Sequence, residues 1–283
     1  MNGFDGVIAG LVAQSQAQAV EKPGDYTSGG LLHCGTCHTP KQCRVEIGGV
    51  SLLAGCMCKC AESAYEAEQR GIKARENAMR IKELRVQGIQ DKAMRGYTFA
   101  SAEPGRNQKN MDKCRRYVQN WEKMRKENGG LLLAGPPGTG KTFAAACVAN
   151  ALIGKGVPVL VTSIPKILNS GGWEKAELTR QMKEFDLLVI DDLGTERKER
   201  NGAANGYALE IVQMVIDERY KTQKPLIVTT NISRSQMDEP ENMDYHRIFD
   251  RLAEMCVPMF FGGPSIRRDK AESKIRFFQE VLG

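Results

Sequence analysis

The chain has 283 residues, of which 41% are apolar, so it is long enough to bury a substantial core and to hold one large domain with a smaller one. Its 40 Lys and Arg against 34 Asp and Glu give a formal charge of +6, which suits contact with nucleic acid without establishing it. No apolar run approaches the ~18 residues of a membrane span, and residues 1–19 lack the basic start of a signal peptide. We therefore expect a cytoplasmic protein without membrane contact, whose nine cysteines stay reduced.

The N-terminal part of the chain concentrates cysteine. Residues 1–30 end in EKPGDYTSGG and are expected to be poorly ordered or locally helical. Residues 31–62 hold six of the nine cysteines, and Cys34-x-x-Cys37 forms half of a zinc site, since a tight turn aims both sulfurs at one ion. We interpret residues 31–62 as a zinc-binding module, because about thirty residues hardly form a stable core without such a staple.

Spacing alone does not fix the second half of this zinc site. Cys56 and Cys60 would lie about 13 Å apart in an extended segment, whereas sulfurs on one zinc lie about 4 Å from one another, given bonds of ~2.3 Å. One zinc therefore takes one adjacent pair, either Cys56 with Cys58 or Cys58 with Cys60. Other candidate ligands are Cys43, His33 and His38. An iron–sulfur cluster, a redox switch and incidental reduced thiols remain alternatives to zinc.

A charged segment separates the cysteines from the rest of the chain. From Ala61 to about Arg95 the sequence is dense in Ala, Glu, Lys and Arg without Pro, which predicts a solvated helix. SAEPGRNQ (Ser101–Gln108) breaks that pattern, so we interpret residues 63–108 as a charged helical linker.

The remaining residues, 109–283, begin with another charged helix at about 109–127 and then change in pattern. Short apolar runs alternate with helical segments, and these runs are LLLAG, PVLVTS, DLLVIDD, PLIVTT and CVPMFF. Uniformly apolar strands separated by amphipathic helices are typical of a parallel sheet covered on both faces. We therefore predict an α/β domain with a five-stranded parallel sheet flanked by helices.

The segment Leu131–Thr142 reads LLLAGPPGTGKT, a buried strand followed by G-x-x-x-x-G-K-T and then a helix. In such a loop the glycines let backbone N–H groups converge on phosphate oxygens, Lys141 reaches the β- and γ-phosphates, and the Thr142 hydroxyl ligates Mg²⁺. The N-terminus of the following helix adds partial positive charge. The sequence thus predicts an ATP site formed by Gly135, Pro136, Pro137, Gly138, Thr139, Gly140, Lys141, Thr142 and Phe143.

Two later strands end in polar residues that fit the same site. FDLLVIDDLG (Phe185–Gly194) places Asp191 and Asp192 at the end of an apolar strand. Asp191 is the candidate Mg²⁺ partner, acting through water, and Asp192 the candidate group that polarises the attacking water. PLIVTTN then ends in Asn231, which is placed to hydrogen-bond the water or the γ-phosphate.

These motifs together resemble an AAA+ ATPase and, more narrowly, the DnaC/DnaI family of replicative helicase loaders. The shared motifs are YTF (Tyr97–Phe99), GLLLAGPPGTGKT, VTSIPKIL, LLVIDDLGTE, DERY, TTN, RIFDRL (Arg247–Leu252) and SIR (Ser265–Arg267). The phosphate loop is common to many ATPases, whereas IDDLGTE followed by TTN and RIFDRL is far more specific. The resemblance runs from about Ala93 to Arg268.

The resemblance implies roles for particular residues. Asn231 resembles the sensor-1 residue, Arg251 an arginine finger that reaches the nucleotide of a neighbouring subunit, and Arg267 a sensor-2 residue on the γ-phosphate. Asp192 stands where most AAA+ proteins have Glu, a departure that the loader family shares. Loader-like sequences often close their cysteine module with C-x-C before a charged helix, which favours Cys58 and Cys60 as the second zinc pair. The alternative for Arg251 is a solvated helical face shared with Arg247.

The function implied is an ATP-dependent loader of the replicative helicase, of bacterial or phage origin. Its expected partners are the hexameric DNA helicase, single-stranded DNA, and other copies of itself through AAA+ interfaces. Basic residues at about 109–126 and Lys166 are candidate DNA contacts. One alternative is an IstB-type transposition helper ATPase; another is a zinc-containing interaction module in which ATP acts only as a structural switch.

Overall fold

The computed structural model describes residues 20–47, 49–103, 106–169, 183–194, 206–238 and 243–283. By its internal contacts the chain divides into a first unit, residues 1–78, and a second unit, residues 79–283. Within the described ranges, no helix combines the length and the apolar character that crossing a membrane requires.

The first unit contains two β-hairpins and most of a long helix. Strand β1 (Tyr26–Ser28) pairs antiparallel with β2 (Leu31–His33), and β3 (Gln42–Ile47) pairs antiparallel with β4 (Val50–Gly55). Helix α1 (Lys59–Gly88) follows and continues into the second unit.

The first hairpin differs from the expectation that residues 1–30 are poorly ordered or helical. Gly29 and Gly30 have φ values of 60° and 76°. This conformation at both central residues of a two-residue loop matches the twist of paired strands. The GG of TSGG therefore specifies a hairpin turn between β1 and β2. Residues 1–19, which belong to the same expectation, lie outside the described residues.

The second unit has an α/β architecture. Two short 3₁₀ helices, Met94–Gly96 and Phe99–Ser101, follow the end of α1. Its strands are β5 (Gly130–Ala134), β6 (Val159–Ser163), β7 (Leu187–Leu193), β8 (Leu226–Thr230) and β9 (Cys256–Phe260). Its further helices are α2 (Gln108–Gln119), α3 (Trp121–Lys126), α4 (Lys141–Gly154), α5 (Ile164–Asn169), α6 (Gly206–Thr222), α7 (Arg234–Asp238), α8 (Met243–Met255) and α9 (Ile266–Leu282).

The five strands of the second unit form one parallel sheet in the order β6–β7–β8–β5–β9. Each strand corresponds to one of the apolar runs in the sequence, so the predicted α/β class and the five-stranded parallel sheet are confirmed. The runs are apolar at consecutive positions because both faces of the sheet are covered.

Alternate residues of β5 show how the two faces are covered. Leu131 and Leu133 pack with the apolar residues of α2, α3 and α4 on one face of the sheet. Leu132 packs with those of α5, α6 and α8 on the other. Side chains of a strand point alternately to opposite faces, so a strand buried on both faces is apolar at consecutive positions and not only at every second one.

The carboxyl ends of the central strands meet at one edge of the sheet. Strand β5 leads into the phosphate loop, Asp191 and Asp192 precede the last residue of β7, and β8 is followed by Asn231. Since these strands are parallel neighbours, residues far apart in sequence come together in the crevice where open α/β sheets bind ligands.

Candidate functional site

The phosphate loop contacts the segment that leads into α9. A Cβ atom added to Gly138, whose φ is 81°, would lie 2.1 Å from Ser265 Oγ. The Gly138 carbonyl also accepts a hydrogen bond of 2.9 Å from the Ile266 N–H. Glycine is required at this position by both conformation and close approach. The loop and the start of α9 are therefore in direct contact.

Lys141 lies at the start of α4 and is only 4% exposed. Its Nζ donates to the carbonyl oxygens of Gly135 and Pro136 and to Asn231 Oδ1, each at 2.8 Å. Burial lowers the pKa of Lys141, while the carboxylates of Asp192 and Asp191 act in the opposite direction. The predicted loop lysine and the predicted sensor-1 residue are thus joined by a direct hydrogen bond.

Asp191 is held by two hydroxyl groups from different elements. Its Oδ1 accepts a hydrogen bond of 2.8 Å from Thr142 Oγ1 and one of 2.7 Å from Thr229 Oγ1. Burial raises the pKa of Asp191, although both hydroxyl bonds favour the charged form. A partly buried carboxylate beside a hydroxyl offers the oxygen ligands that Mg²⁺ prefers. Thr229 was not assigned a role from the sequence; its only signal is a polar residue inside a buried strand.

Asp192 occupies a bulge at the end of β7. The pairing register between β7 and β8 shifts between Ile190 and Leu193, and Asp192 has a φ of 56°. Its N–H donates to Thr229 Oγ1 at 2.9 Å. Bulges redirect side chains and are frequent beside active sites, and Asp tolerates the left-handed conformation better than most residues. Consecutive acidic residues thereby serve one site: Asp191 binds Thr142, while Asp192 lines the adjoining cavity.

A cavity of about 350 Å³ lies beside the loop, a size that suits a small ligand. Among the residues predicted for the site, those that line it are Pro137, Gly138, Thr139, Gly140, Lys141, Thr142, Phe143, Asp192, Asn231 and Arg267. Gly135 and Pro136 contribute through their carbonyl contacts with Lys141, and Asp191 through Thr142.

A second wall of the cavity was not foreseen from the sequence. It consists of Tyr97, Ser101, Ala102, Glu103, Arg106, Asn107 and Met111. The Asn107 side chain donates to the carbonyl oxygens of Thr139 and Gly262, at 3.1 Å each, and so ties this wall to the phosphate loop. Most of these residues fall in the segment 63–108 that was interpreted as a linker. The helix-breaking segment SAEPGRNQ coincides with this wall, but its sequence does not indicate a binding role.

Arg251 is not among the residues that line the cavity. It lies on α8, pairs with Asp217 of α6, and has its guanidinium 5.8 Å from the centroid of the Tyr220 ring. A residue that acts on the nucleotide of a neighbouring subunit has no contact with its own site. The trans role of Arg251 nevertheless stays a prediction, because a local ion pair on a solvated face has the same geometry within one chain.

Four cysteines meet in the first unit. The Sγ atoms of Cys34, Cys37, Cys58 and Cys60 all lie within 4.8 Å of one another. Cys34 and Cys37 follow β2, and Cys58 and Cys60 lie where α1 begins. These are the four residues predicted as zinc ligands, while Cys43, Cys56, His33 and His38 do not belong to the cluster. That the cluster binds a metal stays a prediction.

The electrostatics of this cluster suit a cation. Backbone N–H groups of Cys37 and Thr36 lower the pKa of Cys34. The Thr39 hydroxyl lowers the pKa of Cys37 to about 5, whereas the neighbouring Cys37 raises that of Cys60 to about 12. Thiolates are the form that binds zinc, and a positive ion would balance the charge of adjacent thiolates.

Asp25 supports the loop between Cys34 and Cys37, a role that no sequence motif indicates. Its carboxylate accepts hydrogen bonds from the Gly35 N–H at 3.0 Å and from Lys41 Nζ at 2.6 Å. The hydrogen bond from Lys41, reinforced by backbone N–H groups, lowers the pKa of Asp25 to about 2. The Asp25–Lys41 pair thus fixes the cysteine loop to the start of β3.

Comparison with known proteins links the nucleotide site to one family. The profile of the family described as IstB-like ATP binding protein matches residues 62–274. The chain is 27% identical over 149 residues to the replicative helicase loader DnaC of Escherichia coli K12. This alignment covers 50% of the chain and 56% of DnaC. It is 25% identical over 168 residues to the replicative helicase loader DnaI of Bacillus subtilis, covering 53% and 52% of the two chains. The match thus spans about half the length of these relatives.

The fold is also similar to that of a solved helicase-loader structure. A crystal structure of DnaI superposes with a TM-score of 0.52 at 21% identity, covering 64% of this chain and 98% of the other. The AAA+ fold and the resemblance to the DnaC/DnaI loaders are confirmed by these matches. The family match begins at residue 62, beyond the cysteine cluster.

Proposed function

Because the chain belongs to the family of IstB-like ATP binding proteins, we propose that it is an ATPase that loads a replicative DNA helicase onto single-stranded DNA. The proposal is supported by the similarity to the DnaC and DnaI loaders. The observation that carries it is a hydrogen-bonded site, in which Lys141 binds Asn231 and Thr142 binds Asp191 around one cavity. Bacterial or phage replication is the expected setting.

In this proposal the loop from Gly135 to Thr142 holds the phosphates of ATP. Lys141 exchanges part of its contacts with backbone carbonyls for contacts with the β- and γ-phosphates. Thr142 and, through water, Asp191 would hold Mg²⁺, and the raised pKa of this partly buried carboxyl fits a place where a cation favours the charged form. When bound, Mg²⁺ neutralises charge on the β- and γ-phosphate oxygens.

Hydrolysis then depends on groups that surround the γ-phosphate. Asp192 polarises the attacking water and accepts its proton, and Asn231 orients that water or the phosphate. Arg267, on the first turn of α9, contacts the γ-phosphate from the opposite wall. Arg251 of a neighbouring copy supplies a second guanidinium, so that hydrolysis requires self-association. Turnover acts as a timing step that releases the loader.

The cysteine cluster forms the zinc module of the loader. Cys34, Cys37, Cys58 and Cys60 would hold one zinc ion, whose charge would balance the thiolates, and these residues join the segment after β2 to the start of α1. The small size of this unit supports a metal, because a few tens of residues without one rarely bury enough apolar surface. The module contacts the hexameric helicase.

Single-stranded DNA is held by exposed basic residues of the second unit. Candidates on α2 and α3 are Lys109, Lys113, Arg116, Lys123 and Lys126, with Lys166 on α5. Phosphate contacts of this kind make binding salt-dependent. Arg115 is a weaker candidate, since it donates to Asp112 and to the Phe99 carbonyl.

The test is co-purification with the replicative helicase of the same genome, followed by measurement of DNA-stimulated ATP turnover. We expect a complex with the hexameric helicase, and turnover that rises when single-stranded DNA is added. Absence of helicase binding together with binding to a transposase would instead support the second candidate, an IstB-type transposition helper. That candidate is favoured by the family match itself. ATP binding without turnover would support an interaction module in which ATP is only a structural switch.

A further inference from the structure

Two ion pairs join opposite walls of the nucleotide cavity. Arg106 Nη2 pairs with Asp269. Glu103 pairs with Lys270 at 3.0 Å. Glu103 and Arg106 come from the wall that precedes α2, whereas Asp269 lies in the first turn of α9 and Lys270 directly follows it, more than 160 residues later. Neither pair was foreseen from the sequence.

Arg106 has a donor that the described residues leave unused. Its Nη1 is buried and has no hydrogen-bond partner among them, while Nη2 is held by Asp269. Buried polar groups in native proteins are almost always hydrogen-bonded, and a charged donor left without an acceptor is unfavourable. Because Arg106 lines the cavity, a bound ligand is the natural source of that acceptor.

The position of Arg106 identifies the part of the ligand that it meets. The phosphates of a nucleotide belong at Gly138–Thr142, where the loop N–H groups and Lys141 converge. Arg106 lies instead on the wall that also contains Tyr97, Ala102 and Met111. Apolar and aromatic side chains form a surface for a base or a sugar, not for a triphosphate.

We propose that Arg106 is a nucleotide-binding residue whose Nη1 donates a hydrogen bond to the nucleoside part of the bound nucleotide. Asp269 is its positioning residue, because it fixes the guanidinium through Nη2. Asp269 lies two residues after Arg267 on α9, so the same contact links the nucleoside to the helix that carries the arginine facing the phosphates. The proposal rests on the proposed ATP site and adds to it a residue that binds the nucleoside part of the nucleotide.

The experiment compares Mg·ATP with Mg·tripolyphosphate, which lacks the nucleoside. Equilibrium binding to the full chain is measured for the wild type, Arg106→Gln and Arg106→Lys, with Arg268→Gln as the matched control. Arg268 is an exposed arginine next to Arg267 and outside the cavity lining. We expect Arg106→Gln to weaken ATP binding about tenfold or more, the loss typical of a hydrogen bond to a charged group, and to leave tripolyphosphate binding within twofold of the wild type.

Asp269→Asn provides a second variant, because it keeps Arg106 but removes the charge that positions it. We expect a smaller loss in the same direction, again confined to ATP. Arg106→Lys should retain only part of the ATP affinity, since an ammonium cannot bond Asp269 and the ligand as a planar fork does. Equal weakening of ATP and tripolyphosphate, or no weakening of either, would overturn the proposal. If the wild type binds neither ligand, the ATP site itself fails, an outcome that differs from a failure of the Arg106 assignment.

Discussion

Replacing Lys141 with alanine tests the nucleotide site most directly. In the structure its Nζ makes three hydrogen bonds of 2.8 Å, to Gly135, Pro136 and Asn231, and the side chain is almost fully buried. Burial already lowers the pKa of Lys141, so desolvation opposes the charged form. Loss of the amine therefore removes favourable hydrogen bonds and an unfavourable desolvation together, and we expect the fold to persist.

The effect on ATP binding follows from the contacts that the amine would make. Two hydrogen bonds from Nζ to phosphate oxygens, each worth about 1.5–3 kcal/mol when charged groups are involved, amount to roughly 3–6 kcal/mol. Such a loss weakens binding by a factor on the order of 10² to 10⁴. Hydrolysis should fall at least as far, because charge on the transferring phosphoryl group grows in the transition state.

Calorimetric or fluorescence titration with Mg·ATP measures the first effect, and release of phosphate measures the second. Lys155→Ala is the matched control, since Lys155 lies at the opposite end of α4, where its Nζ donates to the Val118 carbonyl. A folded Lys141→Ala protein that binds and hydrolyses ATP within fivefold of the wild type would refute the reasoning. Circular dichroism confirms folding in each case.

Four further predictions follow from other residues. Asp192→Asn should bind Mg·ATP normally, through Asp191 and Thr142, but lose turnover in a phosphate-release assay. Normal turnover would show that another residue activates the water; the next candidate is Glu196, which lies outside the described residues. A mixture of Arg251→Ala and Lys141→Ala proteins should recover ATPase activity at shared interfaces, whereas no recovery in co-assembled samples would contradict the trans role of Arg251. The purified chain should contain about one zinc and little iron by elemental analysis, and a metal-free native protein would exclude the zinc site. Cys37→Ser or Cys58→Ser should abolish zinc binding and helicase binding while ATP binding persists. Cys43→Ser and Cys56→Ser should have only mild effects on both. The pKa of Asp25, about 2 in the folded chain against 3.8 ordinarily, means that this carboxylate stabilises the first unit above about pH 4 and that the effect disappears as the pH falls towards 2. Since zinc-binding thiolates are protonated in acid, the measurement is made at about pH 7, where Asp25→Asn should lower the melting temperature of the first unit; an unchanged melting temperature would disprove the stabilising role of this carboxylate.

Much of the nucleotide site could be predicted because its parts are local in sequence. The phosphate loop is a contiguous segment between a strand and a helix, and a parallel sheet brings the ends of β5, β7 and β8 together whatever the intervening helices contain. The wall formed by Glu103 and Arg106 could not be predicted in this way. The position of this wall depends on ion pairs with Asp269 and Lys270, which are distant in sequence. The residues of the wall themselves show only the local pattern of a helix break.

The cysteine cluster shows a similar limit. Spacing left two choices for the second pair, and the pairing of β3 with β4 explains the outcome. Gln42 pairs with Gly55, and the Cys56 N–H still donates to the Lys41 carbonyl, so Cys56 belongs to the ladder of the hairpin. Cys58 lies beyond that ladder and, with Cys60, is free to turn towards Cys34 and Cys37. The register of two paired strands cannot be inferred from the spacing of cysteines in the sequence.

The contact between Gly138 and the start of α9 has a mechanical consequence. With 17 residues, α9 is roughly 25 Å long at 1.5 Å per residue. If it pivots at Ser265, a rotation of about 5° moves its far end by roughly 2 Å, while the pivot itself stays against the loop. The helix would then act as a lever, with its contact to the phosphate loop at the pivot and the exposed residues Phe277, Phe278, Val281 and Leu282 at its far end. A displacement of a fraction of an ångström in the first turn would thereby be enlarged to the scale of a side chain at the other end of the helix.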